Sequence, residues 1–205
     1  MKALSYKIIY DTGLAPNPFG KYCTLALCTP NHGIAARLKI GDWIIGHKGV
    51  NSKYPDYSLV YAMEITEPVL SLDEYYSDKR FNYKKPDKNG TEKQKAGDNM
   101  YYLENGELIQ DPKAYYHTDK EDKVKDIRGN RVFISDNFYY LGKEADSEFP
   151  NKYNSLVCKT RKFRYSSYED EKTLIAFIKW LKENKDPKMN AEPLSFKSKN
   201  DSGSC

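Results

Sequence analysis

An α+β fold in a single domain is what this sequence predicts, on three observations. Short runs with the two-residue alternation of strands recur through the first two thirds, each closed by glycine, proline or aspartate. Near the end, Leu174, Ile175, Phe177, Ile178 and Leu181 form the apolar stripe of an amphipathic helix. A length of 205 residues suits one domain with a substantial core.

Residues 6–10 read as a first strand, with Tyr6, Ile8 and Tyr10 on one face, ended by Asp11-Thr12-Gly13. The loop that follows carries Pro16 and Pro18. Each proline fixes its own φ and biases the preceding residue toward extended backbone, so Ala15 and Asn17 are held with little freedom. Residues 23–28 form a second apolar run, stopped by Pro30-Asn31-His32-Gly33, and residues 34–38 a helical turn. The Gly41-Asp42 turn feeds a buried strand from Trp43. Leu59, Tyr61, Met63 and Ile65 then share one face of a strand that pairs with it as a hairpin. Ser71 with Glu74 three residues later is a capping box, which places a short helix over residues 72–76.

From residue 82 to about 98 the chain has too little apolar character to be buried and reads as a solvated, lysine-rich loop, an insertion near 82–97. Gly106 marks a turn, and the charged residues 120–128 read as another loop. Residues 131–142 are the strongest late strand, with a turn or bulge at Asp136-Asn137. The terminal helix starts from Ser166 or Ser167 and stops at Pro187. The expected organisation is one domain over 1–185 and a polar, disordered tail over 186–205.

No apolar run reaches the length of a membrane span, and the first residues lack the apolar core of a signal peptide, so a cytoplasmic location and no membrane partner are expected. Cys23, Cys28, Cys158 and Cys205 are too scattered for a disulfide framework, and Cys205 reads as a free thiol. A net charge of +4 permits phosphate binding without demanding it. Tyrosine is over-used, 18 copies against 8 phenylalanines, and its ring-plus-hydroxyl suits both half-buried strands and polar binding surfaces.

The chain lacks a phosphate-binding glycine-lysine loop, a dinucleotide glycine fingerprint, a zincin helix and the paired elements of zinc base deaminases. Cys23, Cys28, His32 and His47 are spaced too widely for a usual structural zinc site, so neither metal nor cofactor is expected. Asp11, Asp42, Asp98 and Asp136 stand at strand ends, where carboxylates accept turn amides. Lys48, Lys53, Lys79, Arg80, Lys84 and Lys85 interleave with Tyr54, Tyr75, Tyr76, Phe81 and Tyr83. Lysine attracts phosphate and tyrosine stacks on bases, the pairing met at single-stranded nucleic-acid surfaces. A rigid loop bearing Asn17 and Phe19 suits a flat polar ligand such as a nucleobase. Phe19, Tyr22 or Trp43 would stack on it, although Trp43 at a strand start equally suits the core. Asn17 or Asn99 would bond the base edge, and Lys48 and Lys53 would attract phosphate. Asp11, His47, Asp98, His117 and Ser135 complete the list of pocket candidates.

Several motifs in fixed order, Tyr-Asp-x-Gly-x-Ala-Pro-Asn-Pro-Phe from Tyr10, Gly-Asp-Trp-Ile-Ile-Gly from Gly41, Val-Tyr-Ala-Met-Glu-Ile-Thr-Glu from Val60, Gly-Asp-Asn-Met-Tyr from Gly97 and Val-Phe-Ile-Ser-Asp-Asn-Phe-Tyr-Tyr-Leu-Gly from Val132, resemble the nucleotide modification associated domain 2 family over residues 3–145. The resemblance implies a setting in nucleic-acid modification systems of phages and bacteria and supplies no reaction. The strand, Gly-Asp turn, strand and basic loop are also similar to the core of PUA-like and EVE-like barrels, which bind RNA or modified bases. That similarity implies a PUA-like open β-barrel with peripheral helices and a C-terminal helix. The leading expectation is a non-catalytic reader of a modified base or nucleotide, with nucleic acid or nucleotide as partner. One alternative is a nucleotide- or base-modifying enzyme in which folding gathers Asp11, Asp98, His117 or Ser135. Another is a protein that captures a free nucleotide signal.

Overall fold

The structure, a computed structural model, describes residues 1–27, 35–49, 58–145, 149–158, 164–166 and 171–194. Its centre is a six-stranded sheet in the order β10-β8-β4-β3-β1-β9. These strands are β1 (Ala3–Ile8), β3 (Trp43–Lys48), β4 (Leu59–Glu64), β8 (Phe138–Tyr140), β9 (Arg164–Ser166) and β10 (Lys188–Met189). β3 and β4 pair antiparallel, as the alternation predicts, while β1 lies parallel to β3. The fold is mixed α+β, and among the described residues no ladder joins β10 to β9 to close a barrel.

Both faces of this sheet are covered, which is why β3 reads as a continuous apolar run. Leu4, Ile44, Tyr61, Met63, Phe138 and Tyr140 pack on one face with Cys23 and Leu25 of β2 (Cys23–Leu25) and Phe133 of β7 (Phe133–Ser135). On the other, Trp43, Ile45 and Tyr139 meet Leu174, Phe177 and Leu181 of α4 (Glu171–Asn184). Ile175, placed in that apolar stripe by sequence, instead points outward and is exposed.

β2 and β7 form a separate antiparallel pair, as do β5 (Tyr101–Glu104) and β6 (Glu107–Gln110). The strand expected over 131–142 is therefore two strands serving two sheets. Ser135 makes the corner: its Oγ donates to the Asn137 carbonyl at 2.7 Å and accepts the Asn137 N–H at 3.1 Å. A third cluster, of Leu14, Tyr22, Leu72, Tyr75, Phe81 and Met100, lies under α1 (Leu72–Ser77) and the 3₁₀ helix Lys79–Lys84. The Ser71–Glu74 capping box that opens α1 is present.

Three expectations are corrected. Residues 82–98 are not a solvated loop. They hold the end of the 3₁₀ helix and α2 (Glu92–Lys95), and Lys84, Ala96, Asp98 and Asn99 are buried. Residues 120–128 are helical, within α3 (Lys120–Gly129), because Asp119 caps the first turn and Asn130 closes the last in left-handed geometry. The tail is packed at least as far as Leu194: β10 pairs with β8, and the Leu194 N–H bonds Asp11. Cys28, His32, Lys53, Ser167 and residues 195–205 lie outside the described residues.

Candidate functional site

The 3₁₀ helix Lys79–Lys84 begins at Asp78, whose carboxylate accepts the Arg80 N–H at 2.9 Å. The turns kink at Phe81 (φ −110°, ψ 15°), and Phe81 and Lys84 are both buried on the inner side. The Lys84 ammonium there donates to Asn17 Oδ1 at 2.7 Å and to the Asn17 carbonyl at 3.0 Å. Asn17 is held from its other side as well. Its Nδ2 donates to the Ala96 carbonyl at 2.8 Å, its Oδ1 also accepts the Phe19 N–H at 3.2 Å, and its backbone pairs with Thr24. The Ala15–Pro16 peptide bond beside it is cis.

Asp98 supplies the balancing charge. Thr24 Oγ1 donates to its Oδ2 at 2.6 Å and the Tyr75 hydroxyl to its Oδ1 at 2.9 Å. Asn99 Nδ2 ties the Tyr75 and Phe81 carbonyls at 3.1 and 3.2 Å. Burial pushes the Lys84 ammonium down to about 8, against the opposing pull of Asp98 and Cys23. Burial likewise pushes Asp98 up, opposed by Lys84 and by the Thr24 and Tyr75 bonds. A buried cation and a buried carboxylate thus lock the proline loop to the lysine-rich segment.

Outside this lock the same segment turns a basic, aromatic face to solvent. Phe19 and Tyr22 are only 9% and 7% exposed, but lysines cover their rings, Lys93 at 5.5 Å and Lys21 at 4.9 Å. Lys85 sits 3.8 Å over Tyr76 and Lys95 5.3 Å over Tyr115. Tyr83 is 49% exposed.

The candidates named from sequence divide. Asn17, Asp98 and Asn99 meet in the lock, with Phe19 and Tyr22 at its margin. Asn17 spends its amide on Lys84, Phe19 and Ala96, so it shapes the loop from behind and offers no group to a base edge. Trp43 is buried in the sheet core, where no base reaches its ring. His47 is buried against Phe149, their ring centroids 5.0 Å apart, and Lys48 is buried at the end of β3, not free on the surface. Asp11 receives the Tyr140 hydroxyl and the Leu194 N–H and ties the C-terminal segment to the sheet. Ser135 holds the corner described above.

His117 belongs to a second cluster. Its Nδ1 lies 2.8 Å from Asp126 Oδ2, which also accepts the Tyr101 hydroxyl at 3.0 Å. Its backbone has φ +55°, in the left-handed region, and Gln110 Nε2 holds its carbonyl at 2.9 Å. Burial lowers its basicity, but the bond to Asp126 and the charges of Asp126, Asp122 and Asp119 outweigh burial, and its pKa is raised overall.

Sequence reasoning missed Lys84 as an anchor and Asp126 altogether. Both had a local signature. An Asp78 cap with Phe81 and Lys84 spaced three apart behind it marks helical turns, kinked at Phe81, that bury both residues. Asp119, the acidic Glu121 and Asp122, Arg128 and Asn130 are the start and stop of a helix.

Fold and site together define a mixed α+β domain in which a buried lysine fixes a proline loop beneath a basic, tyrosine-bearing face. Residues 1–200 match the model of the nucleotide modification associated domain 2 family, and the chain belongs to that family. Searches of the curated proteins and of the solved structures gave no significant match.

Proposed function

We propose that this chain is a non-catalytic binding domain for a nucleotide or base, modified or destined for modification, within a nucleotide-modification system. One observation carries the reading: the Lys84–Asn17 bonds pin the basic segment onto the proline loop, so the cationic and aromatic groups stand on a preorganised support. Phe19 and Tyr22 form the loop's edge, and Lys93 and Lys21 stand over their rings. Asn17, Asp98 and Asn99 act behind that edge. The likeness of β3, β4 and the Gly41-Asp42 turn to PUA-like open barrels supports a base reader in the same direction.

The test is to incubate the protein with modified and unmodified oligonucleotides and with free nucleotides, then to identify bound and reacted species by mass spectrometry. Retention of one species without chemical change is the expected result. Retention of free nucleotides alone would make the protein a signal-capture protein. Chemical conversion would overturn the non-catalytic reading.

A second reading rests on the 2.8 Å contact between His117 and Asp126. A carboxylate that orients an imidazole is the arrangement of a general acid or base, and a raised pKa keeps that imidazole protonated to higher pH. An enzyme of this kind would convert its nucleotide, and His117→Gln would abolish conversion while leaving retention intact.

A further inference from the structure

Tyr83 is an exposed aromatic ring that the fold holds still. The Cδ2–Cε2–Cζ edge of the ring lies on Gly20, whose φ of +87° and bare Cα admit it; a Cβ at that position would overlap the ring. The backbone N–H groups of Lys21 and Tyr22 face its hydroxyl oxygen, Tyr22 at 3.4 Å. Over one face of the ring stands the buried Lys84 ammonium, 5.6 Å from the centroid. The ring is therefore fixed at its edge, its tip and one face, while about half of the residue stays open to water.

Charge around the ring points to the class of partner. Residues 79–95 carry seven cations, Lys79, Arg80, Lys84, Lys85, Lys88, Lys93 and Lys95, against two acids, Asp87 and Glu92. Arg80 is neutralised by Asp78 and Glu67, and Lys95 by Glu92. Lys21 and Lys85, which flank Tyr83 in the chain and on the Gly20 side, have no carboxylate partner among the described residues. A fixed ring resting on the residue before Lys21 and followed two residues later by Lys85 offers one base a stacking surface and its neighbouring phosphates a counter-charge. Paired bases in a duplex cannot present their faces in this way.

We infer that Tyr83 is the stacking platform of a single-stranded nucleic-acid site, with Lys21 and Lys85 as its phosphate contacts. This rests on the binding reading above and narrows it to a polymer with unpaired bases. The experiment is fluorescence anisotropy on the full chain with labelled oligothymidylate of 5, 10 and 20 nucleotides, a 20-base-pair duplex, and thymidine monophosphate as competitor. Single strands bind more tightly than duplex and more tightly with length. Tyr83→Leu weakens 20-mer binding by about tenfold or more, and Tyr83→Phe, which keeps the ring, stays within about threefold of the parent protein. Should Tyr83→Leu fail to fold, the surface pair Lys21→Ala/Lys85→Ala carries the test. Losing two phosphate contacts lowers the magnitude of the salt slope by about 1.4. Parent-like binding by folded Tyr83→Leu, an unchanged salt slope, or preference for duplex would overturn the inference. If no oligothymidylate binds but a modified mononucleotide does, the platform falls and the binding reading stands; if nothing binds, both fall.

Discussion

The clusters around Lys84 and His117 both bury a cation, and although burial lowers both, their net shifts run in opposite directions. Lys84 is bonded to an amide and a carbonyl, with Asp98 acting only through its field, and burial wins: the ammonium is pushed down to about 8. His117 has a carboxylate directly at 2.8 Å, and pairing wins: the imidazole is pushed up despite being buried. The difference teaches that the identity of the bonded partner, more than depth, decides which protonation state the fold selects. It also separates two roles. The first cluster fixes the shape of a surface above it, and the second holds an imidazole against a carboxylate that favours its protonated form.

The contrast is broken most forcefully by removing each cation's support. Lys84→Met leaves Asn17 Oδ1 short of its strongest donor and Asp98 uncompensated, and is expected to cost about 3 kcal/mol in urea unfolding. Adding Asp98→Asn should return part of that loss. A neutral or stabilising Lys84→Met would show that the cation contributes nothing to the loop. Asp126→Asn weakens the support of both His117 and Tyr101, with an expected loss of about 2 kcal/mol at pH 6 and less at pH 8.

The pH dependence sharpens the same contrast. A lysine depressed from 10.5 to about 8 binds fewer protons folded than unfolded in that interval, so its contribution rises with pH above about 8. Cys23, pushed up to about 12 by burial, offsets this rise above about 9, and the buried tyrosines reverse the sign above about 10. The clean window is therefore about pH 8 to 9, with a rise of at most about 1.4 kcal/mol per unit that Lys84→Met abolishes. His117 runs the other way: its contribution is complete below about 6.5 and is lost as pH climbs through its raised folded value. Denaturation curves at half-unit steps, with His117→Gln as control, read both limbs. The smallest effect belongs to the rim, where Arg80→Ala removes exposed pairs with Asp78 and Glu67 and should cost less than about 1 kcal/mol.

What the sequence made legible follows from where apolar periodicity exists. The β3–β4 hairpin, the capped α1 and the stripe of α4 all announce themselves because burial on a defined face imposes a period. The lysine-rich segment concealed its packing because its buried polar side chains, Lys84, Asp98 and Asn99, are held by hydrogen bonds and not by an apolar pattern. α3 concealed itself for a related reason: Asp122 and Asp126 are buried while Val124 is exposed, the reverse of an ordinary helix stripe. Of the candidate site, Asn17, Asp98 and Asn99 were identifiable individually from the loop and turn positions they occupy. Their convergence depends on Lys84, which only the three-residue spacing from Phe81 could have singled out.

The most direct test of the binding face is ultraviolet crosslinking of a 4-thiothymidine-bearing oligonucleotide to the full chain, followed by peptide mapping. The account predicts crosslinks in residues 18–22 and 79–95. Crosslinks confined to residues 111–130, around His117 and Asp126, or none in either region, would contradict it.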